Sequence, residues 1–335
     1  MKVLVTGGAG FIGSIMVKRL LEEGNSVDVV DSLERGDKER VDKRAKLHVG
    51  SLLNKSLVSS VFSEVFDVVI HFAGYISMGE SMENPGMYFE NNTYGSFILL
   101  EALKNKSVKR FIFSSTAGIY GNPIRLPISE EEPKNPTNPY GESKLGVERM
   151  LSWYQKIYGI NFVSLRYFNA AGATRDGLLG ESHSPETHII PNAISSALNN
   201  THFMLYGTDY KTKDGTCIRD YIHVEDLVEA HMLAIKKIEK EKGGFFYNVG
   251  TGKGFSNKEV IDCVKKTSGI DFPIDVQKRR PGDADELVAD VTLIQKELRF
   301  SPKYSDLQTI VKTAWEWHKK NSPPKADRPL AENSK

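Results

Sequence analysis

A tyrosine and a lysine stand four residues apart in the segment NPYGESKLGVE, as Tyr140 and Lys144. On an α-helix, residues i and i+4 share a face, so the hydroxyl and the ammonium group would be neighbours. A free tyrosine has a pKa of about 10, which is too high for a base near neutral pH. A neighbouring positive charge favours the phenolate. The pair can therefore serve acid–base chemistry, although helix surfaces also carry such pairs without function.

Two features of the preceding segment, RFIFSSTAGIYG, favour the acid–base interpretation. It predicts a strand whose last residues are the SST segment (114–116), which includes Ser114 and Thr116. The helix that carries Tyr140 and Lys144 follows this strand. Ligands bind at the carboxyl ends of the strands in open α/β sheets. A hydroxyl at Thr116 can hold a substrate oxygen beside Tyr140. The tyrosine would then take a proton from a substrate hydroxyl while a hydride leaves the same carbon.

A hydride acceptor is indicated at the amino terminus, in the segment TGGAGFIG. Its glycines Gly7, Gly10 and Gly13 lie between a predicted strand (2–6) and a predicted helix (11–24). Glycine permits the tight turn and the close approach of a pyrophosphate, which then sits at the helix N-terminus. A simple strand-to-helix turn would also contain glycine, but the context on both sides matches a dinucleotide site.

The second predicted strand ends at Asp31, which would accept the ribose hydroxyls of NAD and repel the extra phosphate of NADP. Arg35 or Lys38, in the loop that follows, could bind that phosphate instead. The mixed charges of this loop are also typical of a solvated surface. The sequence therefore favours NAD. Its positive nicotinamide ring, together with the Lys144 ammonium group, would favour the phenolate of Tyr140.

The elements that must position these residues alternate between strands and helices in the first half of the chain. The predicted strands cover 2–6, 26–31, 46–50, 67–74, 110–115 and 162–169, and helices are predicted at 11–24, 88–105 and 140–158. Continuous apolar strands that alternate with helices predict an α/β fold, with a Rossmann-type, doubly wound parallel sheet in a domain at 1–170.

The second half is less regular, with predicted helices at 190–199, 225–239, 256–268 and 305–319. Residues 171–321 are expected to form a smaller, mixed α/β lobe that binds the substrate, with some segments returning to the first lobe. The polar segment 322–335 is expected to be a flexible tail.

Composition excludes several other classes of protein. Of 335 residues, 40% are hydrophobic and 26% are charged, which is typical of a globular enzyme. The formal net charge of +1 and the lack of a polybasic block argue against a nucleic-acid or membrane partner. Cys217 and Cys263 suggest neither a disulfide framework nor a metal site. Glycines interrupt the apolar run at the start, unlike a signal peptide or a membrane span, so a cytoplasmic protein is expected.

The motifs TGGAGFIG, HFAG, SST…YG and YGESK together resemble the extended short-chain dehydrogenase/reductases. Longer segments are similar to the UDP-glucose 4-epimerase family, and these are RYFNAAGA (166–173), ETHIIP (186–191), LYGTDYKTKDGTCIRDYIHVEDL (205–227), YNVGTGKGFS (247–256) and RRPGDADELVAD (279–290). That family holds NAD tightly, oxidises C4 of a UDP-hexose and returns the hydride to the other face of the 4-keto sugar. The resemblance implies this activity on UDP-glucose and UDP-galactose. It leaves open two alternative reactions, the interconversion of UDP-GlcNAc with UDP-GalNAc and that of UDP-xylose with UDP-arabinose.

The resemblance also implies roles for individual residues. The catalytic residues would be Thr116, Tyr140 and Lys144. Besides Tyr140 and Lys144, the residues implied to contact NAD are Gly7, Gly10, Phe11, Ile12, Gly13, Asp31, Ser32, Arg35, Gly36, Ser51, Leu52, Phe72, Ala73, Gly74, Ile76, Asn91, Ser114 and Phe168. Besides Thr116 and Tyr140, those implied to contact the UDP-sugar are Asn169, His188, Ile189, Met204, Tyr206, Arg219, Arg280, Asp283 and Leu287. No metal is implied. A homodimer is implied, with helices 88–105 and 140–158 at its interface.

The chain departs from relatives at five of these positions. Ser51 stands where many have an aspartate that contacts adenine, and Ile76 where some have a lysine near the cofactor. Thr116 replaces a more familiar serine, and His188 replaces an asparagine found in some relatives. Leu287 stands where relatives restricted to plain hexoses often have a tyrosine, and smaller residues there go with N-acetylhexosamine substrates.

Three other functions are possible on the same scaffold. A nucleotide-sugar 4,6-dehydratase needs an acid–base pair directly after the threonine, but Ala117 and Gly118 follow it here. A non-catalytic, NAD-sensing protein could discard Tyr140 and Lys144, which this chain keeps. A net-oxidising dehydrogenase would release NADH and differ in stoichiometry.

Arg219 and Arg280 suit a diphosphate because guanidinium groups bind phosphate oxygens in a bidentate way. A surface salt bridge of Arg219 with Asp220 or Asp226 is the alternative for that residue.

Overall fold

The computed structural model describes residues 1–280 and 283–321. The predicted tail at 322–335 lies outside the described residues. Within them, the strands are β1 (Lys2–Thr6), β2 (Ser26–Asp31), β3 (Lys46–Val49), β4 (Val68–His71), β5 (Arg110–Thr116), β6 (Asn161–Tyr167), β7 (Asn169–Ala171), β8 (Phe203–Tyr206), β9 (Ile218–His223), β10 (Gly244–Val249), β11 (Gly254–Ser256), β12 (Ile274–Gln277) and β13 (Glu286–Leu287). The α-helices are α1 (Phe11–Glu22), α2 (Lys55–Val61), α3 (Met78–Glu83), α4 (Pro85–Tyr88), α5 (Gly95–Leu103), α6 (Pro139–Tyr158), α7 (Ile189–Asn199), α8 (Val224–Lys240), α9 (Asn257–Ser268), α10 (Thr292–Leu298) and α11 (Leu307–Asn321).

The main sheet has seven parallel strands in the order β10-β6-β5-β4-β1-β2-β3. Along β1, the side chains of Val3 and Val5 enter one apolar cluster with α1 and α8, while Leu4 enters another with α2, α5 and α6. Helices therefore cover both faces, which explains why the strands read as continuous apolar runs. The predicted Rossmann-type, doubly wound fold is confirmed. Its strand order reverses between β1 and β4, which opens a crevice at their carboxyl ends.

The second half builds two smaller sheets and a helical layer. Strand β9 pairs with β7, β11 and β13, and β8 pairs with β12. Helices α7, α9 and α11 pack on one another around a third apolar cluster. The expected smaller, mixed lobe is therefore present. Strand β10 lies in the main sheet, beside β6, and helix α8 packs against one face of that sheet. We retain the boundary at 170/171 as a proposed division, with these two elements assigned to the first lobe.

The segment predicted as one helix at 88–105 is interrupted in the structure. A π-helical segment (Phe89–Tyr94) separates α4 from α5. Such segments are frequent at functional sites because they re-aim side chains within a helix. Here the interruption carries Asn91 and Asn92. The other predicted helices agree with the structure to within two residues at each end.

No helix in the described parts of the chain combines the length and the apolar character needed to cross a membrane.

A buried ion pair fastens α6 to the main sheet. The guanidinium of Arg166 donates to both carboxylate oxygens of Glu148, at 3.0 and 2.9 Å, and both side chains are almost fully buried. Arg166 also donates to the Tyr120 hydroxyl at 2.9 Å, which donates to Asn248 at 2.7 Å. Ser164 donates to Glu148 at 2.7 Å. These bonds join β6, α6 and β10, and they leave little freedom for α6 to rotate or slide.

We expect Glu148→Gln to lower the free energy of unfolding by about 3–5 kcal/mol, because it leaves the buried Arg166 charge without a carboxylate. Urea denaturation followed by circular dichroism measures the loss. The matched control is Glu142→Gln on the same helix, since Glu142 pairs with Arg149 in an exposed setting. That change should cost at most about 1 kcal/mol. Equal losses in the two variants would contradict the anchoring role.

Candidate active site

A single cleft of ≈ 1590 Å³ opens at the carboxyl edge of the main sheet and extends to the second lobe. Every residue that the sequence predicted to contact the cofactor or the substrate lies on its wall. The ends of β2 and β5 and the loops that follow β1 and β4 line one part, and residues from 168–219 and 280–287 line the other. The cleft exceeds the ≈ 300–1,000 Å³ of an ordinary small-molecule site, so it has room for two ligands.

The glycine loop between β1 and α1 is shaped for close approach. Gly7 has a φ of +74°, and a Cβ there would lie 2.5 Å from the backbone nitrogen of Ala73. A Cβ at Gly13 would lie 2.1 Å from the carbonyl oxygen of Gly7. Helix α1 begins after Gly10, and no side chain caps its first turn. The amide groups of that turn are therefore available to an anion such as a pyrophosphate.

Asp31 is buried at the end of β2, beside this loop. Its carboxylate accepts hydrogen bonds from the backbone amides of Ala9 and Leu33, both at 2.9 Å. These bonds orient the carboxylate and leave further lone pairs on both oxygens. A residue held in this way can accept hydroxyl groups from a ribose, as the sequence predicted.

Arg35 lines the cleft but is engaged with other side chains. Its guanidinium donates to Glu80 at 2.7 Å and lies over the ring of Tyr75 at 5.1 Å. Glu80 is the main reason why the pKa of Arg35 is raised. Tyr75 in turn donates to the carboxylate of Glu34. The pairing with Glu80 and the proximity of Glu34 disfavour a second phosphate here, which supports NAD over NADP.

Thr116 and Tyr140 face each other across the end of β5 and the start of α6. Helix α6 begins at Pro139 because the Asn138 side chain caps it, accepting the Gly141 amide at 2.9 Å, and because proline suits the first turn of a helix. Thr116 Oγ1 accepts the Gly118 amide at 3.0 Å, so its own proton can be donated elsewhere. Burial raises the pKa of Tyr140, and the nearby Thr116 hydroxyl opposes that rise.

Lys144 lies one turn further along α6, as the spacing predicted. Its ammonium group donates to the carbonyl oxygen of Ser114 at 3.1 Å, and burial lowers its pKa to about 8. The lysine is therefore mainly protonated at neutral pH. The sequence predicted that this ammonium group and a nicotinamide ring would together favour the phenolate, and in the chain alone burial raises the pKa of Tyr140. A phenolate near neutral pH thus needs both the ammonium group and the positive ring of oxidised NAD.

The far part of the cleft contains two arginines and one aspartate. Arg219 donates to the carbonyl oxygens of Ile218 and Ala284, both at 2.9 Å, and to Asp283 at 3.3 Å. The guanidinium of Arg280 lies over the ring of Tyr206 at 4.2 Å. The partner of Arg219 is therefore Asp283 rather than Asp220 or Asp226. Both guanidinium groups reach the same cavity, as a diphosphate clamp requires.

The carboxylates of Asp220 and Asp226 have structural roles. Asp220 accepts the amides of Thr251 and Gly252, while Asp226 accepts those of Lys303 and Tyr304.

Leu287 lies on β13, directly opposite Arg219 in the pairing with β9. It packs with Phe168 against a small apolar cluster that includes Ala117 and Leu145. Because Leu287 also lines the cleft, its size helps to set the room beside Thr116.

Sequence reasoning missed Tyr167, although it quoted the motif RYFN that contains it. The Tyr167 hydroxyl is buried, lines the cleft and is hydrogen-bonded to His231 Nε2. His231 Nδ1 is 2.8 Å from the Leu227 carbonyl oxygen, so Nδ1 carries the proton and Nε2 accepts from the tyrosine. The Tyr167 hydroxyl is thereby held between α8 and the end of β5, because the Ser114 side chain also hydrogen-bonds it. Only the tertiary structure brings His231 of α8 to this position.

Asn92, next to the predicted Asn91, was also missed. Its side chain accepts the Tyr75 amide at 2.8 Å and donates to the Tyr75 carbonyl oxygen at 3.0 Å. It also donates to Ser143 of α6 at 3.1 Å. This one amide therefore ties the loop after β4 to the catalytic helix. The doubled asparagine in FENNTY was the available signal.

The loop before α7 places His188 between two carboxylates. His188 Nδ1 lies 2.8 Å from Glu181 and 2.9 Å from Glu186. The charge of Glu181 is the main cause of a pKa well above the ordinary range at His188. The two histidines in turn overcome burial and lower the pKa of Glu181 to about 2. Glu181, Glu186 and His183, which completes this group, were missed although they share the segment GESHSPETH.

Comparison with known proteins agrees with this geometry. Residues 3–250 match the family described as NAD dependent epimerase/dehydratase. The chain is 47% identical over 321 residues to a UDP-glucose 4-epimerase of Lactobacillus helveticus, covering 95% of this chain and 97% of that protein.

Solved structures give the same result. The crystal structure of a UDP-glucose 4-epimerase from Bifidobacterium longum in complex with NAD+ and UDP has a TM-score of 0.91. It is 38% identical and covers 96% of this chain and 99% of that one. A UDP-Glc/GlcNAc 4-epimerase from Campylobacter jejuni has a TM-score of 0.84 at 39% identity, with 95% and 99% covered.

Proposed function

The chain belongs to the NAD dependent epimerase/dehydratase family, and we propose that it catalyses the NAD-dependent epimerisation of a UDP-sugar at C4. The observation that carries this proposal is the placement of Thr116, Tyr140 and Lys144 on the wall of a cleft that also contains the glycine loop. UDP-glucose and UDP-galactose are the proposed pair, because the Lactobacillus helveticus relative acts as a UDP-glucose 4-epimerase.

The residues present fit NAD. The glycine loop has no room for a Cβ at Gly7 or Gly13, helix α1 offers uncapped amides, and Asp31 presents a fixed carboxylate. These groups would hold the pyrophosphate and a ribose. NAD held by these groups would supply a hydride acceptor and donor for C4 of the sugar, so the proposed reaction would have no net change in oxidation state.

Three side chains are proposed to remove and return the proton of the C4 hydroxyl. Tyr140 would act as the base that removes the proton from the C4 hydroxyl and later returns it. Thr116 would donate a hydrogen bond to the same sugar oxygen and hold it beside the phenolate. The ammonium group of Lys144 would stabilise the phenolate, and it is protonated at neutral pH because its pKa is about 8.

The groups at the far end would hold the nucleotide while the 4-keto sugar turns over. Arg219 and Arg280 carry the positive charges that a diphosphate requires. Asn169 donates its amide to the Asp220 carbonyl oxygen at 2.9 Å, which leaves its own oxygen free for a sugar hydroxyl. The dehydratase alternative lacks its acid–base pair here, because Ala117 and Gly118 follow Thr116.

Leu287 is the proposed determinant of sugar choice. A leucine is smaller than tyrosine and cannot donate a hydrogen bond, so the wall beside Thr116 leaves space for a larger substituent. The Campylobacter jejuni relative is named as acting on both UDP-Glc and UDP-GlcNAc. We therefore include UDP-GlcNAc/UDP-GalNAc conversion in the proposal, with UDP-xylose/UDP-arabinose as the remaining alternative.

We expect the purified protein to convert UDP-galactose, and more slowly UDP-GalNAc, without added NAD. Proton NMR of the anomeric region would show the corresponding gluco-sugars. Leu287→Tyr should reduce the UDP-GalNAc rate by at least about tenfold while retaining most UDP-galactose turnover, since one group of this size changes selectivity by ~1–3 kcal/mol.

A loss of both rates in equal proportion would contradict the role given to Leu287. If the parent converts neither sugar even after NAD is added, UDP-xylose is the next substrate to test. Stoichiometric accumulation of NADH would identify a net dehydrogenase instead.

Tyr140→Phe keeps the ring and removes the acid–base oxygen. We expect the turnover number to fall by about 10²–10⁴-fold, the usual contribution of a positioned acid or base. NAD content, measured after acid release, should stay near that of the parent. Tyr154→Phe is the matched control, because it removes a hydroxyl from the same helix at a position outside the cleft, where Tyr154 donates to Glu101 at 2.6 Å. Turnover within about tenfold of the parent would mean that another group acts as the base.

We further propose a homodimer formed through α5 and α6. Trp153 and Ile157 lie one turn apart on α6 and are 62% and 64% exposed, although both are large and apolar. Tyr94, at the start of α5, is 41% exposed and stacks on Phe97. Contiguous exposed apolar side chains mark interaction sites, and the same patch on a second copy would cover them.

Ile157→Glu should convert the dimer to a monomer, because it places a charge at the centre of the apolar patch. Light scattering coupled to size-exclusion chromatography measures the mass. Leu178→Glu is the matched control, since Leu178 is 60% exposed but lies far along the chain from α5 and α6. A monomeric parent, or a dimer that survives Ile157→Glu together with Trp153→Glu, would overturn this interface.

The cytoplasm is the proposed compartment. Cys217 and Cys263 are both free thiols in the structure, which suits a reducing environment.

A further inference from the structure

We propose that Glu181, His183, Glu186 and His188 form a binding site for a divalent transition-metal ion of the zinc type, at the edge of the nucleotide-sugar cleft. Each residue offers one ligand atom, and these four atoms lie within 4.8 Å of one another. The cysteine count predicted no metal site, but this cluster uses imidazole and carboxylate groups instead.

The spacing of the ligand atoms matches a tetrahedral ion. His188 Nδ1 lies 2.8 Å from Glu181 Oε1 and 2.9 Å from Glu186 Oε1. His183 Nδ1 lies 3.2 Å from Glu181 Oε1 and 4.0 Å from Glu186 Oε2. Ligands at ~2.0–2.1 Å from a tetrahedral zinc ion are about 3.3 Å apart. These four separations fall on both sides of this value, and every pair of ligand atoms lies within 4.8 Å, so binding requires changes of at most about 1.5 Å in their separations.

One imidazole nitrogen of the cluster has no well-formed hydrogen bond. The Nδ1 atom of His183 is buried, although the side chain is 23% exposed, and it lies 3.2 Å from Glu181 Oε1 without a hydrogen bond of good geometry to any described residue. A buried polar atom without a partner is costly, and native structures rarely leave one. A metal ion would satisfy this nitrogen together with the carboxylate of Glu181, which is only 4% exposed.

The donor set selects the class of ion. Imidazole nitrogen suits zinc, copper, nickel and iron, whereas magnesium and calcium prefer oxygen ligands. Two carboxylates also neutralise a dication. The neighbouring basic groups are the guanidinium of Arg40, which lies over the Trp317 ring, and the imidazole of His318, which is close enough to Glu181 and Glu186 to be influenced by both.

The site would act on the neighbouring nucleotide pocket by orienting His188. This residue immediately precedes α7 and lines the cleft. An ion on Nδ1 fixes the ring and leaves the proton on Nε2, which can then donate to a diphosphate oxygen. Metal and UDP are therefore expected to bind with positive coupling.

The test uses the purified full-length protein with its NAD retained, after treatment with a chelator. Titration with Co²⁺ should produce the intense visible bands of a tetrahedral complex, saturating at about one equivalent per chain, and Zn²⁺ should abolish them. His183→Gln should weaken Zn²⁺ binding by more than about tenfold, since even an outer-shell partner is worth that much. Glu186→Gln should do the same, which covers a failure of the first variant to fold.

His48→Gln is the matched control, because His48 also contacts a carboxylate, that of Asp28 at 2.7 Å, but on β3 at the edge of the main sheet. It should bind Zn²⁺ as the parent does. Weak octahedral Co²⁺ bands, or equal Zn²⁺ affinity in the parent and both cluster variants, would overturn the proposal. Epimerase activity is read separately, so failure of the metal site leaves the catalytic assignment intact.

Discussion

The buried ion pair between Arg166 and Glu148 is the constraint on which the catalytic geometry depends. Glu148 lies on α6 four residues after Lys144 and eight after Tyr140, so all three share one helix face. Pinning Glu148 to β6 therefore sets the rotation of the helix that carries the other two. Asn92 secures the same helix from the π-helical segment. With α6 fixed, the Tyr140 hydroxyl meets Thr116 and the Lys144 ammonium meets the Ser114 carbonyl oxygen.

This rigidity has an electrostatic consequence. Burial that orders Tyr140 also raises its pKa, and burial that orders Lys144 lowers the pKa of the ammonium group. The first shift disfavours the negative phenolate and the second disfavours the positive ammonium group, although a phenolate base needs both charges. The chain alone therefore does not provide enough stabilisation for the phenolate. In the proposed mechanism, a positively charged nicotinamide in the same cleft would supply the missing stabilisation, and proton removal would then depend on oxidised cofactor.

The two ends of the cleft differ in which atoms form their binding surfaces. At the cofactor end the main chain itself forms the surface, because a Cβ at Gly7 or Gly13 would collide with backbone atoms. At the substrate end charged side chains dominate, with Arg219 already oriented by Asp283 and two carbonyl oxygens. A rigid main-chain surface suits a cofactor that stays bound between turnovers. Side-chain contacts at a distance from C4 suit a substrate whose sugar must turn over during the reaction.

The sequence by itself determined the elements and the chemistry that depends on local spacing. Continuous apolar strands between helices predicted the parallel sheet, and the glycines predicted the cofactor loop. The i, i+4 pair of Tyr140 and Lys144 predicted the helix that is proposed to carry the acid–base chemistry. Contacts between distant segments were decided only by the tertiary structure. His231 reaches Tyr167 from α8, Arg166 meets Glu148, and Arg219 pairs with Asp283 rather than with its sequence neighbours. Periodicity records which face of an element is apolar, but partners across the fold follow from how the elements pack.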